Sequence, residues 1–153
     1  MMSGRLLALP AIVLLLLLSS CASTPQAPRD QDAEAKQFLT HPQAATLYVY
    51  RNPFNNTEDS VLYLDRRLIG ATLPGAYFRV NVTPGTHTLH GSGPDLGELT
   101  LETRGGRLYF VELAVIAGHS NFRSVPEQLG RTSIAACCTL LENWAPGQRP
   151  LLR

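Results

Sequence analysis

From Thr46 to Val125 apolar and polar residues alternate in short runs, and each run is cut off within about ten residues by Gly, Pro, Asn or Asp. A period of two sends successive side chains to opposite faces of a pleated strand, whereas a helix needs a period near 3.6. Ala76-Tyr77-Phe78-Arg79-Val80-Asn81-Val82 alternates in this way and puts Tyr77, Arg79 and Asn81 on one face. Glu98–Thr103 interleaves acids and hydroxyls with leucine, which predicts a half-buried strand. Val61–Leu64 and Leu68–Thr72 flank Asp65-Arg66-Arg67 and predict a hairpin, and Gly105-Gly106 predicts a two-residue turn. Arg107–Ile116 is the longest apolar run of this kind and predicts a central strand.

Two segments depart from the alternation. Asp30–Leu39 predicts a short helix with Asp30 as N-cap, ended by His41-Pro42. Pro126–Leu141 predicts the one substantial helix, with Leu129, Ile134, Ala136, Cys137, Leu140 and Leu141 on its apolar side. Gly130 weakens that helix by about 1 kcal/mol relative to Ala. Twelve Gly and eleven Pro in 153 residues exclude a helical bundle. The expected fold is mainly β: a small antiparallel β-sandwich of about seven short strands, with one C-terminal helix packed on it and a short N-terminal helix.

The N-terminal region constrains location. Arg5 precedes the apolar run Leu6–Leu18, and small residues Ser19-Ser20 follow it. These are the three parts of a secretory signal. Thirteen residues, interrupted by Pro10, fall short of the roughly 20 apolar residues that cross about 30 Å of hydrocarbon. Leu18-Ser19-Ser20-Cys21 resembles the lipobox of bacterial lipoproteins. That resemblance implies cleavage before Cys21, lipidation of Cys21 and a stable bilayer anchor, since each buried CH₂ adds about 0.8 kcal/mol. Ala22, rather than Asp, after the cysteine resembles the pattern sorted to the outer membrane, facing the periplasm. The expected organisation is a signal peptide at 1–20, a lipidated cysteine and flexible tether at 21–35, a β-sandwich domain at 36–142 and an irregular tail at 143–153.

Loss of residues 1–20 removes Arg5 and no acid, so 13 basic residues become 12 against 12 acidic ones. A neutral chain without a basic stripe gives no support to nucleic-acid binding. Cys137 and Cys138 are expected as two buried thiols on the apolar side of the helix, because neighbouring helical side chains point about 100° apart. A vicinal disulfide or a metal pair is the alternative.

Lys36-Gln37-Phe38 and Ala45–Arg51, followed in order by Leu68-Ile69-Gly70, Gly75-Ala76-Tyr77, Val82–Leu89 and Gly106–Val111, resemble a lipoprotein domain of unknown function of the DUF2846 type. Pro84-Gly85-Thr86-His87-Thr88-Leu89 also resembles PEGA-type modules of cell-surface proteins. Asp65-Arg66-Arg67 departs from the pattern, which places glycine after the aspartate. The resemblance implies no activity, cofactor or functional residue.

Catalysis requires a nucleophile beside a base, or paired carboxylates. His87, His90, His119, Asp95 and Cys137 are the residues that would have to converge, and no spacing demands it. His87 and His90 are three apart on a strand and face opposite sides, so no metal site is expected. No catalytic residue and no cofactor is assigned. Arg51, Tyr63, Tyr77, Arg79 and Tyr109 lie on strands and are the candidate binding face for an envelope protein or glycan, because aromatic rings give area and guanidinium gives bidentate contacts. The expected function is a non-enzymatic, lipid-anchored envelope protein acting as a structural or accessory binding module. The alternative is a binding module for glycan or peptidoglycan fragments.

Overall fold

A computed structural model describes residues 24–54, 60–91 and 97–143. The signal segment, Cys21, the loops 55–59 and 92–96, and the tail from Trp144 lie outside the described residues. The alternating runs become strands β1 (Ala45–Arg51), β2 (Ser60–Leu64), β3 (Arg67–Thr72), β4 (Ala76–Val82), β5 (Gly85–His90), β6 (Glu98–Thr103), β7 (Leu108–Ile116), β8 (His119–Val125) and β9 (Thr139–Leu140). Helix α1 (Arg29–Ala35) precedes β1, and α2 (Glu127–Cys137) lies between β8 and β9. One sheet has the order β8-β7-β1-β4-β9 and the other β3-β2-β5-β6.

Alternation sorts the side chains into two cores. Leu47, Val49, Phe78 and Val80 of the five-stranded sheet meet Leu62, Leu64, Leu89 and Leu101 of the four-stranded sheet. On the opposite face of the five-stranded sheet, Tyr48, Tyr77 and Phe110 pack against Ala35, Phe38 and Ile134 from the helical segments. Strand β1 is therefore buried along its whole length, and β7 is an interior strand, as its apolar content predicts. Both helices cover the same sheet. The outer face of the four-stranded sheet carries Thr86, Thr88, Thr100 and Glu102 instead.

Glycine sets the contact of α2. A Cβ on Gly130 would stand 2.3 Å from Phe110 Cγ, so this residue lets the helix backbone settle directly on the ring. The sequence flagged Gly130 only as a helix weakness; the structure makes it the point of closest approach. Leu129, expected on the buried side, is 47% exposed, and Ile134 is fully buried.

The mainly-β sandwich stands, with four corrections. The described residues form nine strands rather than about seven, and the added β9 occupies residues expected to extend the helix to Leu141. The sandwich is not wholly antiparallel: β1 pairs with β7, and β4 with β9, in parallel. Helix α1 begins after Pro28 and has no side-chain cap, so Asp30 is not an N-cap, and the helix stops at Ala35. Cys137 and Cys138 are not two thiols but a disulfide. The helix ends at Cys137 and Cys138 is already extended, at φ −123° and ψ 148°, so the argument from helical geometry against pairing does not apply.

The expected tether at 21–35 is also revised, because residues 24–35 belong to the domain. The edges β3 and β9 lie on one side of the sandwich, and residues 24–28 run across the gap between them. The hydroxyl of Thr24 accepts the Ala71 N–H of β3 at 2.7 Å. Gln26 bridges Leu141, Ala27 N–H donates to the Leu140 carbonyl at 2.9 Å, and Glu142 N–H donates to the Pro25 carbonyl at 2.9 Å. Thr24 is 4% exposed. This strap supplies partners to backbone groups that an open sheet edge leaves unpaired.

Candidate functional site

Asp32 fixes α1 to the sheet. Its carboxylate accepts from the Tyr77 hydroxyl at 2.9 Å, the Leu140 N–H at 2.9 Å and Lys36 Nζ at 2.8 Å. Burial opposes the charge, but the bonds from Lys36, Leu140 and Tyr77 outweigh it and lower the pKa of Asp32. The Tyr77 phenol is pushed well above its ordinary range, first by burial and then by its bond to Asp32. The hydroxyl therefore stays a donor. The i,i+4 spacing of Asp32 and Lys36 is legible in the sequence, but Tyr77 and Leu140, which make Asp32 a hub, are reached only through the tertiary fold.

With α1 held there, a cleft of about 520 Å³ opens between α1, β4 and the segment after β9. Gln31 and Glu34 come from α1, Arg79 from β4, Glu142 and Asn143 from the C-terminal side, and Ala27 from the strap. Arg79 Nη1 lies 3.6 Å from Glu34 Oε1. Its Nε is buried and has no hydrogen-bond partner among the described residues. Its charge lies near the Tyr48 and Tyr77 phenols, and the Asn143 side chain donates to its backbone carbonyl at 3.1 Å. One guanidinium, two carboxylates and two amides can hold a small polar group carrying both acceptors and donors. Among the described residues, no histidine, cysteine or aromatic ring lines the cleft.

The candidate binding face does not exist as one surface. Arg51 and Tyr77 are both 1% exposed. Arg51 points into the sandwich, where its Nη1 donates to the Thr72 carbonyl at 3.0 Å and lies 3.2 Å from Thr72 Oγ1. Tyr63 is on the other sheet, stacked on His90 with centroids 4.9 Å apart. The Tyr109 hydroxyl accepts the Arg104 N–H at 2.9 Å, and the ring packs on the inner core. Arg79 alone lines the cleft. The faces scatter because β1 is covered on both sides, so alternation along it cannot separate a buried face from an exposed one.

The histidines are dispersed. His87 and His90 face opposite sides of β5, as predicted, with His87 on the buried side. His87 Nε2 donates to the Thr83 carbonyl at 2.7 Å, and Nδ1 meets Asp65 Oδ2 at 2.6 Å. That carboxylate also accepts the Thr88 N–H at 2.9 Å, so the constellation braces the β2–β3 turn. Asp65 and Arg66 both have positive φ, 51° and 64°, which settles the turn as a two-residue hairpin loop of the primed type. His41 accepts the Gln43 N–H in an exposed loop, and Asp95 lies outside the described residues. No group of three His, Cys, Asp or Glu side chains is placed to hold a metal among the described residues.

No protein-family model matches the sequence. A Haemophilus influenzae protein described as uncharacterized is 30% identical over 127 residues, covering 78% of this chain and 76% of that protein.

Proposed function

The chain belongs to one family with that Haemophilus influenzae protein, and from that premise we propose that it is a non-enzymatic, lipid-anchored protein of the bacterial envelope, an accessory binding module held on the outer membrane through Cys21. The observation that carries this reading is the Leu18-Ser19-Ser20-Cys21 unit directly after an apolar run too short to span a bilayer. The cleft around Arg79 is where a polar partner group has room and complementary charges. Envelope proteins are the favoured partners, because the described lining offers charged and amide groups, one guanidinium and two carboxylates among them, that suit a polar protein surface.

The test is Cys21→Ser in the native host, with envelope fractionation and mass spectrometry of the N-terminal peptide. The reading expects a triacylated, membrane-bound wild type and an unprocessed, unmodified variant. Release of both forms as soluble protein overturns it. Cross-linking from a photoreactive group at Glu34, compared with one at Thr100, then tests the cleft: a partner captured at both positions alike would refute its role.

A further inference from the structure

The strap places the domain on its membrane. We propose that the sandwich stands edge-on to the bilayer, with the β3–β9 side against the phospholipid headgroups and the β6 edge pointing away. This rests on the anchor reading above and adds an orientation to it.

The argument is one of chain length and attachment. Fifteen flexible residues, as the 21–35 tether was expected to supply, would have a root-mean-square span of roughly 20 Å and leave the domain free to tumble. Thr24 instead is buried, and its hydroxyl is bonded to Ala71. Only Ala22 and Ser23 separate it from Cys21. Three Cα–Cα steps reach at most about 11 Å. The attachment continues along the strap, where Pro25, Gln26 and Ala27 are each paired with the segment 140–142. Gly70 leaves the space into which Thr24 packs: a Cβ there would stand 3.1 Å from Thr24 Oγ1 and 2.9 Å from Phe78 Cζ. An acyl chain on Cys21 is therefore tied to a fixed edge of the sandwich.

Sheet geometry gives the height of the β6 edge. Strand β6 is three strand spacings from β3, roughly 14 Å; β8 crosses the sheet instead, its Ser120 hydroxyl lying 2.7 Å from that of Ser60 on β2, beside β3. The Arg79 cleft includes Ala27 of the strap, so it opens at the level of the headgroups. Its ligand then meets it at the membrane surface and not in free solution. The exposed strap residues Pro25, Gln26 and Pro28 themselves carry no charge.

The experiment uses full-length protein, processed by its host and reconstituted into phosphatidylethanolamine–phosphatidylglycerol vesicles containing a headgroup-labelled collisional quencher. A genetically encoded fluorophore is placed at Gln26 or Thr100, which are exposed on the strap and β6. Several-fold stronger quenching at Gln26 than at Thr100 is expected. A fifteen-residue Gly/Ser insertion between Ala22 and Ser23 should make the two positions equal. Equal quenching at native spacing overturns the orientation when mass spectrometry finds Cys21 acylated. Absence of acyl chains on Cys21 overturns the anchor reading itself. Thr24→Val keeps the size of the side chain and removes the bond to Ala71, so it should reduce the difference between positions without changing acylation.

Discussion

Gly130→Ala sets helix propensity against packing, and the structure decides the sign. Alanine in place of glycine favours a helix by about 1 kcal/mol. The new methyl would lie 2.3, 2.4 and 2.5 Å from Phe110 Cγ, Cβ and Cδ1. Carbon atoms in contact sit about 3.5–4.0 Å apart, so helix and ring must separate by more than about 1 Å. The ring cannot swing aside. Phe110 Cβ is fixed to β7, and the ring stacks on Tyr48 with centroids 5.0 Å apart and planes 9° apart, with Phe38 at 5.8 Å on another side. Overpacking of a formed core costs about 1–3 kcal/mol, and an immobile neighbour places this case at the upper end. The net loss is about 2 kcal/mol. At about 4 °C per kcal/mol for a domain of this size, the midpoint of thermal unfolding falls by about 8 °C. Far-UV circular dichroism during heating, with urea unfolding as a second axis, measures it. Leu129→Ala, one residue away and half exposed, should stay within about 0.5 kcal/mol. In a Phe110→Ala background the contacts with Cγ and Cδ1 are gone while the one with Cβ, at 2.4 Å, stays, so the cost of Gly130→Ala should shrink but not reverse sign. An unchanged or raised midpoint for Gly130→Ala in the wild-type background would refute the close approach of α2 to β7.

Arg66 holds a left-handed conformation at φ 64°, where L-residues other than glycine are strained. Arg66→Gly should therefore stabilise by about 0.5–1 kcal/mol in urea unfolding, and a loss would show that the side chain has a role the turn hides. Asp32→Ala leaves the Leu140 N–H and Tyr77 hydroxyl unpaired, for a loss of about 2–4 kcal/mol at neutral pH. Because the folded pKa of Asp32 is depressed, its contribution is present above the unfolded carboxylate value and is lost as pH falls below about 4 through the folded value. Wild-type stability should drop across that range, and Asp32→Ala should show a shallower drop; parallel profiles would sink the assignment. Reduction of Cys137–Cys138 should cost only about 1 kcal/mol, since adjacent residues enclose almost no chain whose entropy the bond could restrict. Collapse of the fold on adding reductant, absent in the Cys137→Ser/Cys138→Ser variant, would contradict that.

What was legible in the sequence is what depends on neighbours along the chain. Period-two alternation identified β4 and β6, and Asp65-Arg66-Arg67 between two apolar runs identified the β2–β3 hairpin, with Arg67 found in β3 rather than in the loop, because pleat and turn are local. The strap was illegible for a converse reason: Ala22 to Arg29 is rich in Ser, Thr, Pro, Gln and Ala, the composition of a linker, and nothing local shows that Thr24 finds an unpaired N–H on β3, 47 residues away. The candidate binding face failed on the same ground. Tyr77 and Arg51 look like ligand contacts as residue types, yet one spends its hydroxyl on Asp32 and the other its guanidinium on Thr72, and both partners are fixed by topology. Gly130 reverses the lesson. Propensity reads it as a flaw in a helix, and packing makes it the residue without which the helix could not lie on Phe110. The Asp32 hub, the strap and the cleft all lie where α1 and the segment 139–143 close on β4. Residues from both ends of the described chain must be in place before that side of the sandwich exists. If Cys21 carries the anchor, the side that closes last in sequence terms is also the side that meets the membrane, and the Arg79 cleft forms only in a domain whose N-terminal segment is docked.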